Sequence, residues 1–152
     1  MGKFRKIIFL GEDNTRLGPL AEAALTRKLA IIGIYDVAVA SAGTVVLFPE
    51  PVNQKIAEVA ERNGLDISKH RATQVLETDF SESTLVLAVG AESKRRCYSR
   101  FPQAVNVYTI KEYLGQEGDL KLPYGGTVEE YEAVYLQLEG LLDALIRKLT
   151  EA

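Results

Sequence analysis

The sequence of 152 residues contains one cysteine, one methionine, one histidine and no tryptophan. A single cysteine excludes an internal disulfide and is consistent with a cytosolic protein, so we expect a cytoplasmic location. No cluster of histidine, cysteine and acidic residues has the spacing of metal ligands. We therefore expect neither a metal nor a cofactor.

The sequence also lacks long apolar runs and a large excess of one charge. No apolar run approaches the ~18 residues needed to cross a bilayer, and the basic N-terminus leads into a strand without a small-residue cleavage site. A net charge of −3 gives no reason to expect nucleic acid or an anionic membrane as a partner. The length fits one domain spanning residues 1–152.

Apolar runs alternate with amphipathic segments along the chain. The predicted strands are 7–10, 35–40, 84–89 and 105–108, and the predicted helices are 19–32, 52–63, a short 72–77, 92–100 and a long one after Thr127. Thr127 and Glu130 form a capping box at the start of that last helix. Strands alternating with helices predict an α/β fold with a parallel sheet and helices on both faces.

The segment from Gly11 to Gly18 follows the first predicted strand and precedes a helix that we expect to open at Pro19. Loops at the carboxyl ends of parallel strands bind ligands, and a loop before a helix N-terminus commonly binds phosphate. The composition of this loop is unusual for that purpose. Glu12 and Asp13 are adjacent acids, and the loop has no cysteine, serine or histidine.

With these elements placed, the chain resembles the low-molecular-weight protein tyrosine phosphatases over nearly its whole length. The resemblance implies a three-layer sandwich with a four-stranded parallel sheet flanked by helices. The region from Val105 to Gly118 is most similar to the bacterial branch that includes protein-arginine phosphatases. The matching segments, in the order and spacing of the family, are Asn14-Thr15, Pro19-Leu20-Ala21-Glu22-Ala23, Ser41-Ala42-Gly43-Thr44, Gly64-Leu65-Asp66, His70-Arg71-Ala72, Thr84-Leu85-Val86-Leu87-Ala88 and Pro123-Tyr124-Gly125-Gly126.

The resemblance implies a catalytic set that this sequence does not carry. The family uses a cysteine thiolate as nucleophile, a loop arginine that grips the phosphoryl oxygens, and an aspartic acid that protonates the leaving group. Aligned without gaps, Gly11 lies at the nucleophile position, Leu17 at the arginine position and Leu122 at the acid position. Arg16 replaces the second loop cysteine of the family, and Gly18 replaces the hydroxyl residue that supports the thiolate.

We therefore expect a non-catalytic family member, a pseudophosphatase, that binds an unknown protein or small-molecule ligand at the altered loop. We expect a monomer or weak homo-oligomer. The resemblance implies that the binding loop consists of Gly11, Glu12, Asp13, Asn14, Thr15, Arg16, Leu17 and Gly18. It implies that Ser41 and His70 support this loop, and that Pro123 and Tyr124 lie at the rim of the pocket.

Several alternatives stay open at this point. A residual or unconventional phosphotyrosine or phosphoarginine phosphatase would use Asp13 or Glu12 as a carboxylate nucleophile. Asp119 would serve as its acid, although a solvated loop carboxylate explains that residue too. Arg16 would then have to reach the pocket. Cys97 lies among basic residues that would make a thiol reactive, although an ordinary buried helix cysteine explains it too. The long last helix also allows a purely structural role through self-association.

Overall fold

A computed structural model describes residues 2–123 and 125–151 and shows one sheet of four strands in this part of the chain. All neighbouring strands are parallel, and their order across the sheet is β2-β1-β3-β4. The predicted α/β fold with a four-stranded parallel sheet is confirmed. The single domain over 1–152 stays a prediction. The strands are β1 (Lys6–Gly11), β2 (Ala38–Gly43), β3 (Thr84–Ala88) and β4 (Val107–Thr109).

Helices cover both faces of this sheet, which gives the predicted three layers. Alternate residues of a strand point to opposite faces, so Ile7 and Phe9 pack in a core with α1, α2 and α5, whereas Ile8 and Leu10 pack on the other face beside Cys97 of α3. The helices are α1 (Leu17–Ile31), α2 (Gln54–Arg62), α3 (Ala91–Arg100), α4 (Ile110–Tyr113) and α5 (Val128–Thr150).

The long last helix begins as the sequence predicts. The Thr127 hydroxyl accepts a hydrogen bond from the Glu130 amide at 3.2 Å, and the Glu130 carboxylate accepts one from the Thr127 amide at 3.1 Å. These two bonds satisfy donors that the first helical turn leaves unpaired. The apolar stripe of α5 then packs into the larger core through Tyr131, Tyr135, Leu138, Leu141, Leu142, Leu145 and Leu149.

The structure differs from the sequence prediction at several elements. Helix α1 begins at Leu17, two residues before Pro19, and β2 begins at Ala38 rather than Tyr35. The predicted helix at 72–77 is absent up to residue 76, because the Gly43 amide donates to Thr73 and the Val75 amide donates to Gly43, and a 3-10 turn follows at Glu77–Asp79. The short helix α4 was not predicted.

Within the described ranges, 2–123 and 125–151, no helix has both the length and the apolar character needed to cross a membrane.

Candidate functional site

The loop between β1 and α1 lies at the carboxyl edge of the sheet, below a cleft of about 450 Å³. We call this space the loop cleft. Residues 11–14 and 16–18 of the loop line one side, the turn from Val89 to Ser93 lines another, and the segment from Asp119 to Leu122 lines the third. The cleft therefore occupies the place that parallel α/β folds use for ligands.

Gly11, at the nucleophile position implied by the resemblance, leaves open space in the cleft. A Cβ atom built on Gly11 would have no neighbour within 4 Å, and the residue is not among the glycines with positive φ. Neither crowding nor backbone conformation therefore requires glycine here. The position is compatible with a side chain, but the chain supplies none and so offers no nucleophile at this point.

Leu17 and Leu122, at the arginine and acid positions, add only apolar surface. Leu17 is buried in the main core although it also lines the cleft, and Leu122 is half-buried against the same core. An alkyl side chain can neither donate hydrogen bonds to phosphoryl oxygens nor transfer a proton to a leaving group. The three positions to which the resemblance assigns catalytic groups are thus occupied by glycine and leucine.

Asn14 holds the loop in shape from below. It adopts a left-handed conformation with φ of 63° and is almost fully buried. Its side-chain oxygen accepts a hydrogen bond from the Thr73 amide at 2.9 Å, and its carbonyl lies 2.7 Å from Nε2 of His70. Because a carbonyl can only accept, the His70 proton is on Nε2. The predicted supporting role of His70 is therefore a hydrogen bond to the loop backbone.

The side-chain amide nitrogen of Asn14 is buried without a hydrogen-bond partner among the described residues. A Cβ atom built on Gly18 would stand 3.5 Å from this nitrogen and 3.4 Å from the Cβ of Ser41. The resemblance implies a hydroxyl residue at position 18, so the unpaired donor faces the place where that hydroxyl would be. Ser41 does not replace it: its hydroxyl donates to Glu22 at 2.7 Å and accepts no hydrogen bond from the Asn14 nitrogen.

Carboxylates dominate the charge of the loop cleft. Glu12, Asp13, Glu92 and Asp119 line it, whereas Arg16 is the single cation among the described lining residues. One oxygen of Asp13 accepts from the amide of Thr15 at 3.1 Å and from its hydroxyl at 2.7 Å. Glu92 also pairs with Arg95 and Arg96, which do not line the cleft, so Glu12, Asp13 and Asp119 against Arg16 leave a moderate excess of negative charge.

Asp119 has a structural role that sequence reasoning missed. Its carboxylate accepts a hydrogen bond from the Ala91 amide at 3.1 Å, and Ala91 is the first residue of α3. A carboxylate at a helix N-terminus is stabilised by the unpaired amides and the dipole of the helix. From the sequence we considered only an acid or a solvated carboxylate at Asp119, because the contact with Ala91 joins residues 28 positions apart.

The rim of the cleft differs from the rim that the resemblance implies. Pro123 does not line the cleft; its ring packs against Gly126, whose amide donates to the Pro123 carbonyl at 3.2 Å. Leu120 lines the cleft instead. Tyr124, the second predicted rim residue, lies outside the described residues. Arg16 is exposed, and it lines the cleft together with the other loop residues.

Cys97 is not a reactive thiol. Its side chain is fully buried on the face of the sheet that α3 covers, and burial raises the pKa of its thiol to about 11. A thiol with this pKa is neutral at physiological pH and is a weak nucleophile. The ordinary explanation of a buried helix cysteine is correct. Within residues 2–123 and 125–151, no group of three or more His, Cys, Asp or Glu residues is placed to hold a metal ion.

The fold defines an α/β protein with a parallel sheet and a cleft beside the loop after its first strand. Residues 6–152 match the family described as low molecular weight phosphotyrosine protein phosphatase. The chain belongs to this family.

Its relatives include bacterial phosphatases of two kinds. It is 32% identical over 146 residues to the protein-arginine-phosphatase of Geobacillus stearothermophilus, a match that covers 95% of each chain. It is 26% identical to the low molecular weight protein-tyrosine-phosphatase PtpB of Staphylococcus epidermidis strain RP62A, over 92% of this chain and 96% of the relative. The solved low molecular weight protein tyrosine phosphatase of T. tengcongensis superposes with a TM-score of 0.88 at 37% identity, over 95% of this chain and 99% of that one.

Proposed function

We propose that this chain is a non-catalytic member of its family, and that its loop cleft binds a cationic group of a protein or small-molecule partner. The observation that carries the proposal is the replacement of all three catalytic groups. Gly11, Leu17 and Leu122 occupy the positions of nucleophile, phosphate-binding arginine and general acid that the resemblance implies. Removing one member of a cooperating catalytic set already costs most of its rate enhancement.

The charge of the cleft supports the second half of the proposal. A phosphate dianion above the loop would face Glu12 and Asp13, and the repulsion by an exposed carboxylate such as Glu12 is worth about 1 kcal/mol. This repulsion opposes the hydrogen bonds that the backbone amides of the loop would donate to the phosphate. The same carboxylates would attract a guanidinium or ammonium group, because its charge is positive. The apolar side chains of Leu17 and Leu122 would contact the alkyl part of such a group.

A phosphomonoester hydrolase is the second candidate, and the names of the relatives favour it. In this chain it would require an unconventional nucleophile such as Asp13, whose Oδ1 is engaged by two hydrogen bonds from Thr15. It would also have to bind phosphate against the charge of the cleft. The two candidates therefore make opposite predictions about which ion binds the loop.

A pair of titrations followed by amide NMR shifts separates them. We expect N-acetyl-arginine methylamide to shift the amides of residues 11–18, and we expect inorganic phosphate to leave these amides unchanged. Glu12→Gln should weaken the binding of the arginine derivative about fivefold, since it removes one attractive charge of about 1 kcal/mol at an exposed position.

Glu61→Gln is the matched control, because Glu61 is an exposed acid of α2 that does not line the loop cleft. It should bind like the wild type. Shifts of the loop amides with phosphate, and none with the arginine derivative, would refute the proposal and favour the hydrolase.

A further inference from the structure

A second cleft, of about 630 Å³, lies between α3 and the loop that follows β2. We call it the arginine cleft, because Arg95, Arg96 and Arg100 line it. On the loop side it is lined by Thr44 and Val45. The family resemblance assigned no role to these residues, and none of these three arginines lines the loop cleft.

The arginine cleft is built by the spacing of α3. Residues 92, 95, 96 and 99 follow each other at helical intervals and share the outer face of the helix, whereas Cys97 faces the core. Arg100, the last residue of α3, spans the cleft by donating from Nη1 to the Thr44 carbonyl at 3.0 Å. Its guanidinium also lies 5.5 Å from the centre of the Phe101 ring. Helix and loop are thus tied together at this point.

Positive charge exceeds negative charge in this cleft. Glu92 is its one acid among the described lining residues, and it pairs with both Arg95 and Arg96. The hydrogen bond from Arg96 and the charge of Arg95 lower the pKa of the Glu92 carboxyl, so it stays ionised. Three guanidinium groups against one carboxylate leave an excess of positive charge. They also leave many N–H donors unused, because each guanidinium has more donors than one pairing consumes.

Apolar groups lie beside the cations. Val45 and Phe101 line the cleft, and the two residues at the tip of the same loop, Leu47 and Phe48, are 80% and 67% exposed. The base of this loop is fixed, because the Gln74 side chain donates to the Thr44 carbonyl at 3.0 Å and accepts from the Val46 amide at 2.9 Å. A ligand therefore meets a preformed surface that combines guanidinium groups with apolar side chains.

From this geometry we propose that the arginine cleft binds an organic anion, whose carboxylate or phosphate group contacts the guanidinium groups and whose apolar body contacts Val45 and Phe101. Arginine suits this task because its planar fork forms paired hydrogen bonds with both kinds of anion. The site is separate from the loop cleft, with which it shares Glu92 as a wall. The proposal thus stands whether or not the loop cleft binds a cation.

The test is an NMR titration of the whole chain with phenyl phosphate, benzoate and inorganic phosphate at about 0.15 M ionic strength, where charges about a Debye length apart are screened. We expect phenyl phosphate and benzoate to shift the side-chain Nε–H signals of the three arginines and the amides of Thr44 and Val45. Inorganic phosphate should bind more weakly, because it lacks the apolar body. Arg96→Gln and Arg100→Gln should each weaken the binding of phenyl phosphate about fivefold.

Arg62→Gln is the matched control, since Arg62 is a partly exposed arginine of α2 that also pairs with acids and does not line the cleft. It should bind phenyl phosphate like the wild type. Equal binding by wild type and the two cleft variants would overturn the proposal, as would equal affinities for phenyl phosphate and inorganic phosphate. Shifts from phenyl phosphate confined to residues 11–18 would also overturn it, and would count against the proposed function as well.

Discussion

At the scale of single residues, the loop after β1 is held by hydrogen bonds to its Asn14, although it carries no cysteine and has Leu17 where the resemblance implies an arginine. Asn14 takes the left-handed conformation, accepts a hydrogen bond from Thr73 and is bonded at its carbonyl by His70. Its unpaired amide nitrogen faces Gly18. The family resemblance identified Asn14 and Gly18 from the sequence. It could not show that glycine instead of a hydroxyl residue at position 18 leaves the buried Asn14 side-chain nitrogen without a hydrogen-bond partner.

Restoring a hydroxyl at position 18 should stabilise the protein. In Gly18→Ser the new oxygen would accept a hydrogen bond from the Asn14 side chain, which should raise the free energy of unfolding by about 1 kcal/mol. Urea unfolding followed by circular dichroism measures this change. Gly18→Ala is the control, because it adds the Cβ atom without the acceptor. The explanation fails if serine is no more stabilising than alanine.

Gly43 supports the same loop by being small. A Cβ atom at this position would lie 2.7 Å from the Glu12 carbonyl and 3.0 Å from the Asn14 amide, which is closer than real contacts allow. Gly43→Ala should therefore lower the free energy of unfolding by about 1–3 kcal/mol. It should also shift the loop amides in the NMR spectrum.

Gly140→Ala is the control for Gly43→Ala, and it should change the free energy of unfolding in the opposite direction. Gly140 is an exposed residue inside α5, and a Cβ atom there would have no neighbour within 4 Å. This variant should be about 0.5–1 kcal/mol more stable than the wild type, because alanine favours the helical backbone. Equal effects of the two alanines would show that the contact beneath the loop does not matter.

At the scale of elements, the sequence correctly predicted the helices and strands whose formation depends on residues close together in the chain. The continuous apolar run of β3 and the capping box of α5 placed both elements correctly. The segment 72–77 was predicted as a helix because its own residues allow one, but its amides and carbonyls pair with Gly43. That pairing joins residues some thirty positions apart. Asp119 at the start of α3 and the arginine cleft were missed for the same reason.

Helix α3 also gives a prediction about pH. Burial raises the pKa of the Cys97 thiol from 9.0 to about 11, so the folded protein keeps the thiol neutral in a range where the unfolded chain loses the proton. This contribution to stability is complete below pH 9 and is lost as the pH rises towards 11. We expect the free energy of unfolding to fall by up to about 2 kcal/mol over this interval.

Cys97→Ala isolates that contribution. The variant is less stable overall because it leaves a cavity in the core, but its stability should depend less on pH between 9 and 11 than that of the wild type. Urea unfolding at several pH values gives both curves. Parallel curves would mean that ionisation of Cys97 contributes nothing.

At the scale of the whole molecule, the sheet brings two clefts of opposite charge together at one edge. The amides of Thr44 and Val45, which line the arginine cleft, donate to the carbonyls of Gly11 and Glu12 in the loop cleft at 3.0 Å and 2.8 Å. Glu92 lines both clefts. The chain has the fold of its family, and the carboxylates that line its loop cleft outnumber the cations among the described lining residues.

We propose that this chain lacks the chemistry of its phosphatase relatives. The most direct test is the hydrolysis of p-nitrophenyl phosphate and of a phosphoarginine peptide, with the protein-arginine-phosphatase of Bacillus subtilis, 32% identical to this chain, assayed in parallel. We expect no release of phosphate above the buffer rate by the wild-type protein, and the same result for Asp13→Asn. Phosphate release by the wild type that falls in Asp13→Asn would contradict it.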